Sequence, residues 1–152
     1  MKNLSLSLVV LLALTTSGCG FGGQRFHGTY NVAGTATVTL TGQGSSTNPL
    51  SFTYRISEGT DSDILISEIP AAGTPCTYPA DVEGDVATLR PGTACTQVQN
   101  GYTFTKTITN GMASLSGKAV QLNYSGNLMF TGEGKTYPGT IIQNATLTRV
   151  GK

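Results

Sequence analysis

The most constraining feature of this chain is a period of two. Tyr30, Val32, Gly34, Ala36, Val38 and Leu40 fall on one side of an extended segment, and Thr29, Asn31, Thr35, Thr37, Thr39 and Thr41 fall on the other. Successive side chains of a strand point to opposite faces, so the pattern describes strands with one buried and one wet face. It recurs at Phe52, Tyr54 and Ile56, at Cys76, Tyr78, Ala80 and Val82, and at Tyr102, Phe104 and Ile108. It returns at Val120, Leu122, Tyr124, Leu128 and Phe130, and at Ala145, Leu147 and Arg149. No stretch carries helical spacing over several turns.

The breaks between these runs are rich in glycine and proline, which supply turns. Gly42 to Asn48 reads as a loop, Ile64 to Ile69 as a strand, and Gly84-Asp85 as a turn. Asn110-Gly111 reads as a tight hairpin, because both residues accept positive φ. About eight short strands in meander order result, the last from about Tyr137 to Val150. An open sheet of that size leaves edges, so the fold class expected is all-β: a small up-and-down antiparallel β-barrel or a packed sandwich, the barrel preferred. Thr-rich outer faces without aromatic girdles do not suit a barrel that crosses a membrane.

The first residues carry an address. Lys2 precedes an apolar run from Leu4 to Leu14 and the polar stretch Thr15-Thr16-Ser17-Gly18-Cys19. That is the layout of a secretory signal, and the run is shorter than the roughly 20 apolar residues a spanning helix needs. Thr16-Ser17-Gly18-Cys19 resembles the bacterial lipobox, with Thr in place of the usual Leu. The resemblance implies cleavage before Cys19 and lipid, palmitate among it, on that cysteine. Each buried CH₂ contributes about 0.8 kcal/mol, so two or more acyl chains anchor stably. Gly20 stands where Asp commonly retains lipoproteins in the inner membrane, which implies the outer membrane of a bacterial cell envelope. The expected organisation is 1-18 signal peptide, 19-26 lipidated flexible tether and 27-152 barrel domain.

Of three cysteines, lipidation of Cys19 leaves Cys76 and Cys95, which in an oxidising compartment are expected to form a structural disulfide. With 11% charged residues and a formal net charge of +1, the chain lacks the basic footprint of a nucleic-acid binder.

Gly28-Thr29-Tyr30 at the start of the first strand, with Leu147-Thr148-Arg149 near the end of the last, resembles the lipocalin or calycin superfamily of eight-stranded barrels. The resemblance implies that Arg149 packs over the Tyr30 ring and closes one barrel end. Tyr stands where that family has Trp, and its C-terminal helix is missing.

Catalytic and metal motifs are weak. His27 is the single histidine, with no partner at a defined spacing, and reads as an exposed tether-end residue. Glu58, Asp61 and Asp63, and Asp81, Glu83 and Asp85, read as solvated turn charges rather than a calcium loop. The sequence therefore implies no catalytic residue, no metal and no cofactor, and a non-enzymatic protein is expected. Tyr54, Phe104, Tyr124 and Phe130 are the candidate ligand-facing residues if the barrel is hollow, and core if it is filled. Lys106 interrupts an otherwise apolar face and needs a partner or a wet cavity. Three functions stay open: a membrane-anchored binding module holding a small apolar ligand, an inhibitor or interaction lipoprotein with a filled barrel that engages an envelope protein, and, third, a purely structural envelope role.

Overall fold

The computed structural model of the chain describes residues 22–99 and 101–151. Cys19, the signal peptide and the first residues of the tether lie outside the described residues. Ten antiparallel strands follow one another: β1 (Gly28–Leu40), β2 (Gly44–Pro49), β3 (Thr53–Glu58), β4 (Ile64–Ile69), β5 (Cys76–Glu83), β6 (Val86–Leu89), β7 (Ala94–Gln99), β8 (Tyr102–Ser116), β9 (Ala119–Gly132) and β10 (Lys135–Arg149). Eight of them close in the order β1-β3-β4-β5-β6-β8-β9-β10, with β10 returning to β1 from Tyr30↔Arg149 to Leu40↔Gly139. The result is a closed antiparallel barrel, in which no ring strand is left with an unpaired edge over the closed part.

The two extra strands arise because β1 and β8 each change partner along their length. β1 pairs β3 near its start and β2 from Thr35 onward. β8 pairs β7 in its first half and β6 in its second. Beyond the ring, the sheet continues as six strands in the order β7-β8-β9-β10-β1-β2. β2 occupies most of the segment expected to be a loop at Gly42 to Asn48. Its residues are all exposed, so it has no buried face to generate an apolar alternation.

The hairpin expected at Asn110-Gly111 does not form either. β8 runs straight through these residues and carries a bulge between Ile108 and Asn110 against β9. A bulge and a tight turn both accept Asn-Gly, and continuing the strand keeps Ala113 inside beside Ile108. The turn between β8 and β9 falls at Gly117-Lys118, and β9 meets β10 through Glu133-Gly134, where both residues have positive φ (51° and 73°) as a tight hairpin requires. Gly34 lets β10 approach β1 closely, since a Cβ there would collide with the Asn144 carbonyl.

The core lies on the barrel axis. Phe26, Tyr30, Ile56, Ile64, Ile66, Leu89, Leu122 and Leu147 are buried in one cluster. Gly23–Phe26, assigned by sequence to the flexible tether, forms a 3-10 turn with Phe26 buried at the barrel end. The Tyr30 hydroxyl donates to the Phe26 carbonyl at 2.5 Å. The folded unit thus begins at least four residues before His27.

Candidate functional site

Two groups of inward side chains stand out, one sealed inside the ring and one at its open end. The sealed group is polar. β4 alternates Ile64, Ile66, Glu68 toward the axis, β8 contributes Lys106 and β10 contributes Gln143; Glu68 is 0%, Lys106 6% and Gln143 1% exposed. Lys106 Nζ donates to Glu68 Oε2 at 2.5 Å. Tyr54 and Tyr124 hydroxyls lie 2.8 Å from Glu68 Oε1, and the Tyr78 hydroxyl lies 3.2 Å from Oε2. Gln143 Nε2 donates to the Tyr54 hydroxyl, and its Oε1 lies 3.0 Å from the Tyr124 hydroxyl.

An ionised carboxylate offers about four acceptor positions, and five donors converge on Glu68, the Gln143 amide at 3.4 Å being the most distant. A buried charge without partners is costly, and here each charged group has the other plus hydrogen bonds. Burial, then the neighbouring Glu68 charge, pushes the Tyr54, Tyr78 and Tyr124 phenols well above their usual value, so they remain donors. The arrangement locks six side chains from six strands together.

The second group is aromatic. β8, β9 and β10 extend past the ring and set Tyr102, Phe130 and Tyr137 side by side. Ring centroids are 5.4 Å apart for Tyr102–Phe130 and 6.1 Å for Phe130–Tyr137, with planes inclined by only 22° and 29°. Phe104 packs on Phe130 at 5.0 Å. Cross-strand register produces the contacts, since Phe130 faces Phe104 on one side and Tyr137 on the other. Tyr102 lies over Gly132, where a Cβ would strike its ring. With Leu40, Gln43 and Glu133, the rings of Tyr102, Phe130 and Tyr137 line an open cleft of about 320 Å³, and Phe104 backs Phe130 from beside it. All four aromatic rings are half-buried.

The ligand-facing set expected from sequence therefore divides. Tyr54 and Tyr124 belong to the sealed polar group, whereas Phe104 and Phe130 belong to the aromatic group. Cys76 and Cys95 form the disulfide, with Cα atoms 5.6 Å apart, and tie the start of β5 to β7. Arg149 lies over Tyr30, its guanidinium carbon 5.6 Å from the ring centroid, and its Nη2 donates to the Tyr30 hydroxyl (3.1 Å) and to the Arg25 carbonyl (2.7 Å). His27 is half-buried rather than exposed, with a buried Nε2 that has no hydrogen-bond partner among the described residues. Asp63 accepts from the Val82 amide, Asp81 pairs with Arg90 and Asp85 with Arg25. Among the described residues no three of His, Cys, Asp or Glu converge as a metal site would need.

Glu68 and Gln143 were missed from sequence, although parity was enough to find both. Glu68 follows Ile64 and Ile66 on the axis face, and Gln143 precedes Ala145 and Leu147. Lys106 announced that a partner was needed, and Glu68 supplies it.

Fold and sites together define a closed antiparallel barrel with a cross-linked polar centre and an aromatic open end. Comparison with protein-family models, curated proteins and solved structures finds no match to the chain.

Proposed function

We propose that this chain is a lipid-anchored, non-enzymatic binding module of a bacterial envelope, of the outer membrane, with a calycin-like barrel. Its site is the cleft of Tyr102, Phe130 and Tyr137 at the open end, backed by Phe104, and its ligand is small and mostly apolar. The observation that carries this reading is the half-buried aromatic cluster itself. Adjacent rings of about this size gain roughly 0.5–1.5 kcal/mol per pair from packing, and a ligand that covers their open sides removes further apolar surface from water. The barrel axis is not the site in this reading, because Glu68, Lys106 and their partners fill it. Anchoring is supported by the lipobox-like Thr16-Ser17-Gly18-Cys19, and calycin kinship by Arg149 over Tyr30.

Native mass spectrometry of the exported chain, purified without harsh detergent, tests the binding claim. A reproducible extra mass that is lost on denaturation, and absent from Phe130→Ala, is expected; a bare mass in both would contradict it. Anchoring is tested by labelling cells with palmitate. Label on the wild-type chain and none on Cys19→Ser is expected, and equal label on both would refute lipidation at Cys19.

A second reading is favoured by the filled axis. A barrel without room inside suits a protein that engages an envelope partner through its open end. Co-purification of a defined protein that Phe130→Ala releases, with no bound small molecule, would decide for it.

A further inference from the structure

We propose an anion site at the closed end of the barrel, separate from the aromatic cleft and selective for a phosphoryl group. Arg25, Lys118 and Arg149 surround a cleft of about 380 Å³ whose walls include Tyr30, Leu115 and Thr148. Three elements bring the cations together: the 3-10 turn, the Gly117-Lys118 hairpin and the end of β10. Asp85 pairs with Arg25, while Lys118 and Arg149 pair with no carboxylate among the described residues. The remaining acids of this end, Glu58 and Glu83 at the ends of β3 and β5 and Asp61 and Asp63 in the β3–β4 connection, do not line the cleft.

The Arg149 guanidinium is held by the Tyr30 hydroxyl and the Arg25 carbonyl through the same nitrogen, Nη2. Its other nitrogens make no hydrogen bond among the described residues, and a planar fork with spare donors suits the oxygens of a phosphoryl group. Lys118 adds a point charge from the two-residue turn between β8 and β9. The apolar walls of Tyr30 and Leu115 lower the local dielectric, which strengthens attraction between the cations and an anion. A free phosphate and a phospholipid headgroup share this chemistry. The headgroup source rests on the anchoring reading, since Arg25 stands six positions after Cys19; the anion site itself does not.

The test uses the whole mature chain in a non-ionic detergent and follows acetylation of lysine amines by peptide mass spectrometry, with Lys135 at the opposite tip as the internal control. Inorganic phosphate, compared with chloride at equal ionic strength, is expected to slow Lys118 at least threefold relative to Lys135. Both Arg149→Gln and the exposed Arg25→Gln should lower that protection, so the proposal stays testable if the first variant unfolds. In vesicles, protection by phosphatidylglycerol over phosphatidylcholine identifies a headgroup as the source. Protection by inorganic phosphate with no difference between vesicles identifies a free phosphate. If Lys118 and Lys135 respond alike to both probes, or if neither arginine variant changes the protection, the site does not exist. A chain that lacks lipid on Cys19 but keeps the phosphate effect would refute the anchor and leave the anion site standing.

Discussion

β1, β8, β9 and β10 each run through two environments, and the same inward face behaves differently in each. Inside the ring, inward residues meet partners across the axis and vanish from solvent: Tyr30, Leu122 and Leu147 are 0–1% exposed, and even Glu68 is fully covered. Past the ring, the inward face has no opposite wall of comparable length, and Leu40, Tyr102, Phe104, Phe130 and Tyr137 are only half-buried. Alternation along a strand thus chooses the face; closure of the sheet decides whether that face is core or cleft.

The ring carries the largest expected effects. Lys106→Met should destabilise the chain by about 3–5 kcal/mol, because it strands the Glu68 carboxylate in a dry interior, while a Glu68→Leu/Lys106→Met double variant should recover most of the loss. Urea melts of the three proteins check this, and a small effect of the single change would mean water reaches the barrel axis. Loss of the Cys76–Cys95 bridge in a double Ala variant should cost about 3 kcal/mol from its loop length. That loss should open β7 from β5, and hydrogen exchange should accelerate in β7 more than in β4.

Alkaline titration sharpens the same contrast. Tyr54, Tyr78 and Tyr124 have folded-state values raised above the usual phenol value of about 10. A raised value favours the neutral form in the fold, so the stability is fully present below about pH 10 and is lost as the pH climbs through the raised range. Absorbance at the phenolate band should therefore show at least three of the six tyrosines silent until the protein unfolds. Ionisation of all six in a folded protein would contradict the sealed centre. The smallest effect is expected at the closed end, where Tyr30→Phe removes a hydroxyl bonded to the Phe26 carbonyl and Arg149. A cost of about 1 kcal/mol is expected in thermal or urea melts.

Much of the barrel was legible because its inward residues are large. Tyr30, Tyr54, Ile56, Tyr78, Leu122 and Tyr124 each sit on the face that parity assigned, and Cys76 and Cys95 form the disulfide expected of them. The illegible parts have identifiable physical causes. β2, built from Gly44-Ser45-Ser46-Thr47-Asn48-Pro49, buries nothing, so no apolar alternation marks it as a strand. Asn110-Gly111 satisfies a bulge as well as a turn, and only the pairing with β9 decides between them. Phe26 looked like tether because one apolar residue among glycines gives no period. Glu68 was overlooked because an acid is expected on the wet face, although its parity with Ile66 placed it inside. The open-end cleft was half visible: Phe104 and Phe130 were picked out, but their association with Tyr102 and Tyr137 depends on register between strands.

Binding at the aromatic open end and not on the barrel axis is tested most directly by a fluorescence titration of an apolar dye against three forms of the chain. Wild type and Tyr78→Phe, which alters only the sealed centre, are expected to bind the dye saturably and alike, while Phe130→Ala binds at least tenfold more weakly. Loss of binding in Tyr78→Phe with Phe130→Ala unaffected would put the ligand inside the barrel and contradict the account.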